Sequence, residues 1–130
     1  MLDASVPIFA VWLNAALLTG AALIHLTGIR GLKQLYAGWD IPAGFYFTIA
    51  IVELIAAYLL VIPELRLWGI LIAGVIAFGA VVLLLDHEQY LYAVPVIAFM
   101  LVLVPAALAI PDSHEHVRYT ADTMKLFHAA

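Results

Sequence analysis

Not one cysteine occurs in the 130 residues. This excludes disulfide staples, thiol redox chemistry and iron–sulfur ligation by the chain's own side chains. Charge is scarce too, with five Lys and Arg against nine Asp and Glu, 11% of the chain, and a formal net charge of −4. Soluble domains carry about a quarter charged residues, so this composition cannot clothe an ordinary water-facing surface. Nor do so few cations make a basic face for nucleic acid or anionic head groups. Internal repeats and low-complexity tracts are absent.

Apolar residues fill the space that charge leaves, at 67% of the chain with a mean hydropathy of +1.13. A helix needs about 20 mainly apolar residues to cross a hydrocarbon layer of roughly 30 Å, and four such runs fit between Val6 and Ile110. Helix 1 is expected over Val6 to Ile29. "MLDASVPIFAVWLNAALLTG" lacks a basic leader region and carries Asp3, so it reads as an uncleaved span and not as a signal peptide. Residues 30–44, "RGLKQLYAGWDIPAG", are too polar to cross but set Leu32, Leu35, Tyr36 and Trp39 at helical spacing among Arg30, Lys33 and Asp40. Aromatic and basic residues favour the head-group level, so this is an interfacial segment.

Helix 2 is expected over Phe45 to Ile62, followed by the turn "PELR" at 63–66, because Pro63 stops a helix and Glu64 and Arg66 must reach water. Helix 3 is expected over Leu67 to Leu85, the polar turn "DHEQ" at 86–89, and helix 4 over Tyr90 to Ile110, bent by Pro95 and Pro105. On helix 3, Gly69, Ala73 and Ala77 form a small-residue stripe suited to close helix packing in lipid, with Gly74 and Gly79 as a second strip. Asp112 and Glu115 fit a capping box, and Val117, Ala121, Met124 and Phe127 share one face of the helix that follows. Short connections make successive spans antiparallel neighbours. The expected architecture is an all-α, integral membrane four-helix antiparallel bundle over 1–111, with an interfacial segment after helix 1 and an amphipathic tail over 112–130. Val117, Met124 and Phe127 form the expected docking face of that tail.

The polar groups inside the apolar runs carry the functional argument. Glu53 stands at the centre of "FYFTIAIVELIAAYLL", where an ionisable group costs about 2.5 to 3.5 kcal/mol, so a structural or functional reason must hold it there. Helical rise places it roughly 13 Å from the Arg30/His87 side. The matching level on helix 1 is Thr19, a hydrogen-bond candidate, and Gly20, a point of close approach. Tyr58 is a second candidate partner. His25 lies nearer the surface, within diagonal reach, and His87 with Asp86 and Glu88 closes the same side. Glu53, His25, His87 and Thr19 are therefore the ligand or proton-relay candidates. The alternative for Glu53 is a protonated acid that only locks helices together. No metal is expected, because His114 and His116 in "HEH" face different directions on a helix, and His25 and His87 lie at different depths for a bis-histidine haem.

"HLTGIRGLKQL" followed by "IVELIAAYLLVIPELRLWGILIAGVIAFGAVVLLLDH" resembles the DoxX-like family of small four-helix membrane proteins. The matching positions are Gly31, Leu32, Lys33, Glu53, Leu54, Pro63, Arg66, Ala80 and His87, over roughly residues 20 to 105. The resemblance implies association with membrane redox assemblies and a quinone as the ligand class. Without a complete catalytic constellation, an accessory subunit of a larger membrane complex is expected before an enzyme. A quinone-binding module with a Glu53/His25 proton relay is the alternative. A proton-coupled carrier ranks last, since no inverted repeat is visible. The expected location is a bacterial-type inner membrane among lipids, with cytoplasmic termini because Arg66, Arg118 and Lys125 outnumber Arg30 and Lys33 across the membrane.

Overall fold

The computed structural model describes residues 5–111 and 113–129, and the side chains of these except 113–117 and 119. Asp3, Asp112 and the side chains of His114, Glu115, His116 and Val117 lie outside the described residues, and with them the capping box, the histidine pair and part of the tail's expected face. Among the described residues the protein is all helical. Its order is α1 (Ser5–Thr27), α2 (Arg30–Gly38), α3 (Phe45–Val61), a single 3₁₀ turn (Pro63–Leu65), α4 (Arg66–Asp86), α5 (Tyr90–Ala107) and α6 (Ser113–Ala129). Three helical segments, Ser5–Thr27, Pro63–Asp86 and Tyr90–Ala107, are long and apolar enough to cross a membrane. The apolar α3 has 17 residues, about 25 Å of helix.

Helix ends differ from the sequence expectation by up to three residues, and the backbone explains the larger differences. α1 stops at Thr27 because Gly28 turns left-handed, at φ +56°, and its N–H bonds the His25 carbonyl at 3.2 Å. Glycine is the residue that adopts this turn without a Cβ penalty. α2 and α4 end in a similar way on Asp40 (φ 53°) and Glu88 (φ 56°). The Ile41 and Gln89 N–H groups reach back to the Tyr36 and Leu84 carbonyls at 3.1 and 2.7 Å, the signature of a Schellman closure. α5 runs through Pro95 and stops two residues after Pro105. Beyond that proline the backbone bonds span three residues, from Leu108, Ala109 and Ile110 back to Pro105, Ala106 and Ala107.

The long helices touch in a ring, α1 against α3, α3 against α4, α4 against α5 and α5 against α1. Alanine dominates the buried apolar set, so the backbones approach closely, as packing in lipid requires. Leu18, Ala56, Ala57, Leu60, Ala73 and Leu103 make the central cluster, and Ala10, Val11 and Ala106 a smaller one. Gly69 marks the tightest approach, since a Cβ there would lie 2.6 Å from the backbone nitrogen of Leu60. Ala73 and Ala77 continue that buried stripe. Gly74 and Gly79 meet nothing within 4 Å and face outward, and Gly74 borders a groove of about 580 Å³ between α4 and α5. Phe9, Trp12, Val75 and Leu91 point away from the ring, an apolar exterior suited to acyl chains. α6 is not packed into the ring.

Candidate functional site: a hydrogen-bonded chain across three helices

Glu53 is 5% exposed, on the inner side of α3. Its Oε2 lies 2.9 Å from Nδ1 of His25, two residues before the end of α1. The same Nδ1 lies 3.0 Å from the Ala21 carbonyl. A carbonyl oxygen can only accept, so Nδ1 carries the hydrogen and donates to Ala21 and Glu53 together. In the neutral imidazole Nε2 is then an acceptor, and it stands 2.9 Å from the phenol oxygen of Tyr36. Tyr36 O–H therefore donates to His25, and His25 N–H donates to Glu53. The outcome is a continuous Glu53–His25–Tyr36 chain that joins α3, α1 and α2.

Local sequence places each member. The Gly28 turn swings α2 back over the end of α1, and Lys33, Tyr36 and Trp39 repeat at spacing three along one side of α2. Tyr36 and Trp39 meet edge to face at 5.6 Å, and Trp39 meets the ring of His87 at 5.2 Å. Burial, and secondarily the Glu53 charge, push the Tyr36 phenol above its ordinary value of 10.0, so this hydroxyl stays protonated through the neutral range.

Not every expected member joins. Thr19 donates instead to Ala15 in its own helix, at 2.8 Å, the usual back-bond of a helical threonine to the carbonyl four residues earlier. Gly20 has no neighbour within 4 Å and is not a point of close approach. Tyr58 is 67% exposed on the outer side of α3. His87 reaches the site only through Trp39, because its Nδ1 bonds the Leu83 carbonyl at 2.9 Å and has Asp86 at 3.9 Å. Among the described residues no cluster of three metal-ligating side chains exists. Met124 and Phe127 of α6 are fully in the open, as is Leu126.

Sequence reasoning missed three polar anchors. Tyr36 was legible only as an interfacial aromatic. Asn14 is buried, donating to the Ala10 and Val102 carbonyls at 2.8 and 3.0 Å and so tying α1 to α5, while its Oδ1 has no partner. Arg66 donates from Nε to the Leu60 carbonyl at 3.0 Å and from its guanidinium to the Ala109 carbonyl. One cation thereby satisfies carbonyls at the C-terminal ends of both α3 and α5, where helix dipoles favour positive charge. Compared with known proteins, the chain matches no family model, no curated sequence and no solved structure.

Proposed function

We propose that the protein is a four-span integral membrane protein whose Glu53–His25–Tyr36 chain exchanges a proton between the head-group level and the interior of the helix ring. The observation that carries this reading is the pair of 2.9 Å bonds on opposite nitrogens of His25. Imidazole can take a proton on one nitrogen and release one from the other, and histidine is the side chain that changes charge between about pH 5 and 8. The Glu53 carboxyl stands on one side of the ring and the Tyr36 phenol, the exit to the interface, on the other. Intramembrane carboxylates are functional by default. On this reading α3 is the fourth span, short enough to need a thinner or locally adjusted bilayer, and both chain termini lie on the cytoplasmic side of a bacterial-type inner membrane.

The accessory-subunit reading is favoured by α6, where Met124, Leu126 and Phe127 stand unpartnered and supply a face for a larger complex. The DoxX-like resemblance over residues 20 to 105 supports four spans and carries with it a quinone as lipophilic ligand. The three readings share Glu53 as the group that matters.

Glu53→Gln preserves side-chain shape and hydrogen bonding and removes the charge, so the fold is expected to persist without proton exchange. Infrared spectra of the protein in lipid, recorded from alkaline to acidic pH, are expected to show a Glu53 carboxyl change moving together with the neutral-imidazole bands of His25. The two titrating independently, or a Glu53→Gln protein with unaltered imidazole bands, would overturn the relay.

A further inference from the structure

Beside the relay, Lys33, Tyr36, Ala37, Ile41, Ala43 and Tyr46 line a cleft of about 170 Å³. Water occupies roughly 30 Å³ per molecule in the liquid, so the cleft holds a head group and not a whole amphiphile. Lys33 is placed there by two features. The missing side chain of Gly28 leaves room for its stem, since a Cβ would lie 2.7 Å from Lys33 Cε, and its ammonium stands 6.0 Å from the centre of the Tyr46 ring. Among the described residues no carboxylate lies within ion-pairing distance of it. A positioned cation, a phenol one helical turn along and apolar walls at head-group level are the parts that recognise an anionic phosphate-type oxygen.

We propose that Lys33 and Tyr36 bind the phosphate group of an anionic amphiphile, and that this binding is coupled to proton uptake by His25. The inference rests on the relay reading and deepens it. With His25 neutral, Tyr36 spends its hydrogen on Nε2, turns oxygen lone pairs toward the cleft and has the Glu53 carboxylate behind it, all unfavourable to an anion. One proton taken from water onto Nε2 reverses the bond. Nε2–H then donates to the phenol oxygen, Tyr36 O–H is released to donate to the phosphate, and the Glu53–His25 pair becomes neutral overall. No covalent bond other than N–H forms. The titratable neighbours of His25 are Glu53 on α3 and Tyr36 on α2. Beyond them stand Lys33 and Tyr46 at the cleft, and His87 at the end of α4 behind Trp39. Lys33, exposed beside the Tyr46 ring, supplies the one positive charge at the cleft.

The test uses the full chain in phosphatidylcholine nanodiscs, titrated with fluorescent phosphatidylglycerol, whose phosphodiester keeps one charge across the range. Affinity is expected to fall as pH rises, by up to about tenfold per unit for one coupled proton. Lys33→Gln is expected to weaken binding at every pH and Lys33→Arg to retain it. Tyr36→Phe is expected to leave weaker binding that no longer varies with pH. Inorganic phosphate is titrated in parallel. If it binds with the same dependence on Lys33, Tyr36 and pH while the lipid does not, the phosphate chemistry stands and its source is a free anion. Binding that ignores pH in the wild type, or Lys33→Gln and Tyr36→Phe proteins that bind like wild type, would overturn the proposal. Infrared carboxyl and imidazole changes recorded on the same ligand-free samples separate the two ideas, since a working relay with no anion binding sinks only the cleft.

Discussion

Tyr36 changes most in meaning between sequence and structure. In the chain it is one of several aromatics in a polar segment between two apolar runs. In the folded protein its hydroxyl completes a three-residue chain and borders a cleft. Burial and the Glu53 charge both raise its pKa, so the sign of the pH effect is fixed. The folded protein holds this proton more tightly than an unfolded chain does, so the associated stability is fully present below pH 10.0 and is lost as pH climbs through the raised value. Ultraviolet titration in detergent is expected to show a late tyrosinate step that Tyr36→Phe removes. The same variant deletes one hydrogen bond, with an expected cost of about 0.5 to 1.5 kcal/mol in thermal unfolding. A late step that survives in Tyr36→Phe would assign it to another tyrosine.

Among the helices, α4 carries the sharpest contrast. Gly69 lies against the Leu60 backbone, whereas Gly74 has nothing within 4 Å. Gly69→Ala is expected to push α3 and α4 apart at a cost of about 1 to 3 kcal/mol, the range for overpacking a tight contact. Gly74→Ala is expected to be neutral or to stabilise by about 0.4 to 1 kcal/mol, since it only restricts the unfolded chain. Melting temperatures of the two variants in one detergent decide it, and similar values would show that the α3–α4 contact is looser than described. The Gly69, Ala73, Ala77 stripe was legible because spacing four on an apolar helix leaves few other purposes. The helix ends were less so, because Glu88 bears a long side chain in a left-handed turn where glycine, or aspartate as at Asp40, is favoured. Glu53 and His25 stood out as polar letters in apolar runs. The Tyr36 contact did not, since the direction α2 takes depends on the Gly28 turn and on the packing of α1 against α3. Thr19 misled for a related reason, because depth along a helix does not reveal when a hydroxyl bonds its own backbone.

For the whole molecule, the span count is the quantity to measure. The chain has no cysteine, so single cysteines introduced one at a time report their side without background. Glu64→Cys is expected to label from one face of the membrane, and Gln34→Cys and Glu88→Cys from the other. Labelling of Gln34→Cys and Glu64→Cys from the same face would remove α3 from the set of spans. The ring of contacts also has a consequence in time. The chain is made from its N-terminus, and the Glu53–His25 bond needs only α1 and α3, whereas Arg66 and Asn14 each wait for carbonyls on or beyond α5. The Glu53–His25 bond thus becomes possible before either of the contacts that anchor α5. The ring closes last, at the two contacts that hold α5.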